Sequence, residues 1–330
     1  MKFPRKVVSP QRLLSIFTEN REEVKLSRAR VYSSADDTIE QLAARWASNP
    51  APHSSHDHSI IVESESGRIR SSWRVTVGFF PDPAGALLAQ AQKLARFGEK
   101  AVPETGIAIA LDYAAANGIR GAPTTVEGHL YCALPLPAVS GFPVHINGCF
   151  DLDESRKGIT CGDDALGNAR ERVQWNDLLL KSGIASAYVE ALRSFPTTVA
   201  GSNPAKFYSL WPDVERASPP MMRDAALAIH KALAAADLFR CNNGIARRPL
   251  QEVLLLPSST DDKVKAALVA DGLVIADPAL PTHLISGASA AGVKLSRVTP
   301  ALLRKRWRRC SSESHGPSGG RCFMLGRTCR

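Results

Sequence analysis

The 330-residue sequence contains no C-x-x-C, no G-x-G, no Gly-Lys dipeptide, no G-x-S-x-G and no H-E-x-x-H. Each absence removes a class of chemistry. A P-loop needs Gly-Lys so that backbone amides cradle phosphates while the lysine reaches them. A dinucleotide-binding turn needs G-x-G-x-x-G. The hydrolase elbow and the zincin helix need the last two patterns. The seven cysteines are odd in number and no two stand closer than seven positions, so zinc and dithiol redox signatures are missing as well. No apolar run reaches the roughly 18 residues that a membrane-spanning helix requires. The first twenty residues begin basic but carry no unbroken apolar stretch, so no secretory signal is expected. Together these absences predict a soluble, cytoplasmic protein with reduced thiols and no membrane contact.

What is present is ordinary globular composition, 44% hydrophobic and 22% charged. The net charge of +9 sits at the ends. Arg304, Lys305, Arg306, Arg308, Arg309, Arg321, Arg327 and Arg330, opposed only by Glu313, give the tail +7. Lys2, Arg5, Lys6 and Arg12 add +4, which leaves the body at −2. A nucleic-acid-binding body should itself be basic, so the distribution argues against that class. Ser311 to Arg330 is rich in Ser and Gly, the composition of a disordered tail.

Hydrophobic periodicity predicts helices at 12–17 and 36–46, the latter with Ile39, Leu42, Ala43 and Trp46 on one face. Asn49 to Ser59 reads as a polar loop. Ile60 to Val62 and Trp73 to Phe80 read as a hairpin turning at Glu65-Ser66-Gly67. The alternation of Trp73, Val75, Val77 and Phe79 with Arg74, Thr76 and Gly78 is that of a half-buried strand. A helix is expected over 83–97, then strands over 107–111, 129–136 and 143–152. Pro135 and Pro137 place the second of these at a sheet edge or a strand end. Longer helices follow at 170–195, with Gly183 as a possible interruption, and at 219–239. Short strands at 253–256 and 273–275 flank a helix at 263–270, and a short basic helix is expected over 299–309.

Four clusters are candidates for chemistry. His53, His56, Asp57 and His58 could ligate zinc, but their Pro, Ser and Asn neighbours favour a solvated loop, so no metal is expected. Asp151 to Lys157 starts like a calcium loop, yet Arg156 stands where Gly is needed and Gly162 where Glu is needed. His129, Cys132, His145 and Cys149 could pair as thiol and imidazole in a thiol enzyme. His145, within the apolar Val144-His145-Ile146, reads better as a core histidine. The basic tail could bind nucleic acid, although one short run gives little specificity.

The stretch from Gly128 to Trp211 carries rarer residues in order: Leu134 to Pro137, Gly141, Pro143 to Gly148, Phe150, Trp175, Asn176, Leu178, Leu179, Ala187, Tyr188 and Phe207 to Pro212. This resembles the internal repeats of the sacsin family over about 85 positions. Ser155-Arg156-Lys157 stands where that family usually has Asn-Arg-Arg, and Ile159-Thr160 where a Trp is expected. Family repeats begin with an ATP-binding domain similar to that of the ninety-kilodalton heat-shock chaperones. The D-x-G-x-G loop and Gly-rich lid of that domain are missing here. The resemblance therefore implies the part of a repeat downstream of the nucleotide pocket, a folding or quality-control module with no cofactor and no catalysis of its own. It implies client proteins, a seventy-kilodalton heat-shock chaperone and an ATP-binding domain encoded upstream as partners. Pro143, His145, Asn147, Gly148, Trp175 and Asn176 form its structural motif, and Arg156 and Lys157 are its candidate phosphate contacts. The expected architecture is α+β (mixed α/β): a mainly antiparallel sheet packed with helices over 1–200, a smaller α/β unit over 201–303, and a disordered basic tail over 304–330.

Overall fold

The structure is a computed structural model that describes residues 53–64, 67–80, 85–97, 101–112, 121–132, 134–162, 166–195, 203–242, 246–257, 259–299, 301 and 304. The helices expected at 12–17 and 36–46, most of the one at 299–309, and the basic tail lie outside the described residues. Packing divides the chain into two units. The first is Met1–Ala234 with Pro281–Gly292, and the second is Ala235–Leu280 with Val293–Arg330. The boundary expected at 200/201 thus falls inside the first unit.

The first unit is built on a seven-stranded sheet. Its strands are β1 (His53–Ser64), β2 (Gly67–Phe79), β3 (Glu104–Leu111), β4 (Pro123–Thr124), β5 (His129–Cys132), β6 (Leu134–Val139) and β7 (His145–Gly148). The order is β1-β2-β3-β7-β5-β6, with β4 on β3. All pairings are antiparallel except β5 with β7. The mainly antiparallel α+β architecture is what the strand and helix patterns predict. The expected strand at 129–136 is two strands, and the Pro-bearing one, β6, is the outermost, the edge position where proline is tolerated.

One expectation fails at the start of the sheet. His53 to Ser59 is not a loop but the first half of β1, paired without a break from His53↔Gly78 to Ser64↔Gly67. Its polar side chains hid the strand. They are accommodated because Ser55 hydrogen-bonds Thr76 at 2.7 Å and Asp57 accepts from Arg74 Nε and Nη2 at 2.6 and 2.7 Å. Nor does the polar side of β2 face solvent, since Arg74 and Thr76 are as buried as Trp73 and Val75.

Among the described residues, helices α1 (Ala86–Ala95), α2 (Asn168–Leu178), α3 (Ala185–Arg193), α4 (Pro204–Tyr208) and α5 (Pro220–Ala234) accompany the sheet. Between α2 and α3 the run continues through a π-helical stretch, Leu179–Ile184. Gly183 therefore widens the helix rather than breaking it. A Cβ there would stand 3.2 Å from Thr105 and 3.3 Å from Leu179, so the glycine lets the helix lie close on β3. Arg74 also donates to the Ser194 carbonyl at 3.0 Å, tying β2 to the end of α3. Opposite, Trp73, Val75, Ala108, Ala110 and Tyr131 form a second apolar cluster. A further helix, α7 (Thr282–Ala290), packs on α5. Helix α5 ends at Ala234, short of the expected Phe239, because Phe239 begins a strand.

The second unit holds the hairpin β8 (Phe239–Cys241) and β9 (Ala246–Arg248), and parallel β10 (Leu254–Leu255) and β11 (Ser296–Arg297). Helix α6 (Asp262–Ala270) is capped by Asp261, whose carboxylate accepts from the Lys263 N–H. Leu268, Leu273 and Ile275 form its core.

Candidate functional site

Gly148, Trp175, Asn176, Arg156 and Lys157 of the candidate motif meet at one loop, Cys149 to Thr160, which leaves β7 and returns on itself through the Leu152↔Ile159 bridge. Two consecutive residues of α2 hold it. Trp175, buried, donates from Nε1 to the Cys149 carbonyl at 2.9 Å. Asn176, fully buried, accepts from the Asp151 N–H at 2.8 Å and donates to the Asp151 and Thr160 carbonyls at 2.8 and 2.9 Å. Both amide ends are satisfied, as a buried amide requires. Thr160 Oγ1 closes the ring by donating to Asp151 Oδ2 at 2.6 Å. Gly148 precedes the loop, and a Cβ there would stand 3.0 Å from the Phe150 ring and 3.3 Å from Leu179.

The far end of the loop is a tight turn organised by Asp153. Its Oδ1 accepts from Ser155 Oγ at 2.8 Å and from the Lys157 N–H at 3.1 Å, and its carbonyl accepts from the Arg156 N–H at 2.9 Å. The Ser155 hydroxyl and these amides hold its carboxyl below the ordinary range. Arg156 sits at the tip with φ 55, and both Arg156 and Lys157 are exposed. A rigid base thus presents two cations to solvent, a geometry that suits an anionic partner.

His145 lies elsewhere. It is buried on the other side of the sheet, stacked on Trp73 at 5.1 Å with Tyr131 edge-on at 5.5 Å, and its Nδ1 accepts from the His129 backbone N–H at 3.1 Å. Burial pulls its pKa down to about 4, with the neighbouring His129 contributing. Cys132 does not meet it. That thiol donates to the Phe150 carbonyl at 3.3 Å, and burial pushes its pKa up, the reverse of what a nucleophile needs. Cys149 is exposed. Pro143 and Asn147 are half-buried, and Asn147 serves through its backbone, paired with Gly106 of β3.

The histidines of β1 are divided by strand alternation. His53 stacks on Phe80 and lies 3.6 Å from Glu190, Asp57 is taken by Arg74, and His56 and His58 alternate onto the other face. Among the described residues no group of three or more metal-ligating side chains comes together, and no helix is long and apolar enough to cross a membrane. The feature that sequence reasoning missed is Asp57 as the partner of buried Arg74. Its only signal is the odd polar run before Trp73.

A mainly antiparallel sheet with helices on it, and a loop clamped by a buried Trp-Asn pair, define an α+β module. Against known proteins, the chain is 40% identical to human sacsin over 79 residues, which is 22% of this chain and 2% of sacsin. The chain therefore carries a sacsin-like region and spans a small fraction of the length of that relative. No protein-family model matches, and no solved structure matches.

Proposed function

We propose that the chain is a folding or quality-control module of the sacsin-repeat type, without catalysis of its own. It acts on client proteins in the cytoplasm with a seventy-kilodalton heat-shock chaperone. The observation that carries this reading is the 40% identity to sacsin over 79 residues. The Trp175-Asn176 clamp supports it, because a motif recognised from sequence alone turns out to do one physical job. The test is aggregation of a heat-denatured model client, followed by light scattering. Suppression by the chain, alone or together with the seventy-kilodalton chaperone, is expected. Unchanged scattering in both conditions would overturn the reading.

Arg156 and Lys157 would serve this module as phosphate contacts for a docked ATP-binding domain. Their exposure at the tip of a clamped loop favours that role, since a positioned cation stabilises charge on a transferred phosphoryl group. Fusing the chain to a cognate ATP-binding domain should give hydrolysis that falls with Arg156→Ala. Equal rates would leave the pair as surface charge.

A further inference from the structure

We propose that His230 is the acid-sensitive catch of a latch, holding α7 on α5 while neutral and releasing it when protonated. His230 lies on α5 and is 1% exposed. Its Nε2 is 2.8 Å from the Pro212 carbonyl. A carbonyl can only accept, so Nε2 carries the proton and Nδ1 carries the lone pair. Nδ1 is buried and has no hydrogen-bond partner among the described residues. An incoming proton from solvent must land on Nδ1, where nothing waits to accept its hydrogen bond. A buried cation with an orphaned donor is costly, and separating α7, which covers the Nε2, Cε1 and Cδ2 edge of the ring, relieves it by admitting water.

The fit of α7 against this ring is close. A Cβ on Gly287 would stand 2.3 Å from His230 Nε2, so only glycine allows the backbone of α7 to approach the imidazole. Two electrostatic neighbours act on the ring: His283 of α7 disfavours its protonation, and Asp213 favours it. The other elements packed on α5 keep their charges occupied. Lys181 of the π-helical stretch bridges Asp177 and Asp224, while on α3 Glu190 pairs with Arg193 and His53. Release would uncover Ala226 and Leu233, one turn either side of His230, and Leu284 and Ala288 beside Gly287, all of them buried in the closed form. The latch is independent of the proposed chaperone role.

The experiment is hydrogen exchange of the full chain at about pH 7.5 and about pH 5.5, corrected for intrinsic pH dependence. Exchange across 282–290 is expected to rise by about tenfold on acidification, one pKa unit of coupling, while β7 stays protected. His230→Gln keeps an N–H for the Pro212 carbonyl but cannot be protonated, so its exchange should not change with pH. Should that variant fail to fold, His283→Gln keeps the buried ring and removes the α7 side chain that disfavours its protonation, and the rise should shrink. Exchange across 282–290 that ignores pH in the wild-type chain would overturn the latch. So would an undiminished rise in either folded variant.

Discussion

Asn176 and Asp151 are joined twice through one amide. Asn176 Oδ1 accepts the Asp151 N–H and Asn176 Nδ2 donates to the Asp151 carbonyl, each at 2.8 Å. One side chain thus mimics a neighbouring strand and satisfies both backbone groups of a residue leaving the sheet. The adjacent Trp175 does the same for the Cys149 carbonyl. The loop that carries Arg156 is therefore fixed at its base by α2 and free only at its tip.

Asn176→Ala should cost about 2–4 kcal/mol, because it strands two carbonyls and an N–H that the amide satisfied. Urea unfolding checks this, and a loss below about 0.5 kcal/mol would make the clamp dispensable. Asn147→Ala should cost less than about 1 kcal/mol. Asn147 is half-buried and its described bonds are those of its backbone.

His145 should make stability pH-dependent. Its folded pKa of about 4 lies below the ordinary histidine value of 6.5, so folding favours the neutral ring. That contribution is fully present above about pH 6.5 and is lost as pH falls toward about 4, amounting to about 3 kcal/mol. His145→Phe should flatten the urea midpoint across this window by that share. A slope as steep as that of the wild type would place the titration elsewhere.

Arg156 occupies a left-handed conformation that glycine adopts without strain. Arg156→Gly should therefore raise stability by about 0.5 kcal/mol, although it removes the proposed phosphate contact. Lys157→Ala should leave the melting temperature unchanged within about 1 °C, since the side chain is exposed. A large loss with either variant would show that the loop tip is packed.

Asp57→Asn should destabilise the first unit by about 3 kcal/mol. Arg74 is 3% exposed and would keep its charge with no carboxylate opposite, only neutral acceptors such as the amide oxygen and the Ser194 carbonyl, and the Phe195 ring 4.4 Å away. The double variant Asp57→Asn, Arg74→Met should recover part of that loss. Thermal melts of the three proteins decide the point, and equal stability of Asp57→Asn and wild type would contradict the pairing.

Much of the architecture was legible because it rests on local rules. The alternation around Trp73, the apolar run at 107–111 and the prolines of β6 each name their element through backbone geometry. The Trp175-Asn176 motif was legible as a resemblance, but its job was not, since its partners lie 16 to 26 positions away. Strand β1 was illegible for the same reason. Nothing apolar marks His53 to Ser59, and the carboxylate of Asp57 finds Arg74 only once the hairpin has formed.

The sequence by itself determined the α+β class, the edge position of β6 and the location of positive charge at the chain ends, because periodicity, proline chemistry and formal charge are properties of neighbouring residues. Tertiary structure alone decided that His53, His56 and His58 part company, that Cys132 and His145 never meet, and that Arg74 is buried with Asp57. It alone set Gly287 against His230. Burial and hydrogen-bond pairing depend on which distant segments pack together, and those distances do not exist until the chain has folded.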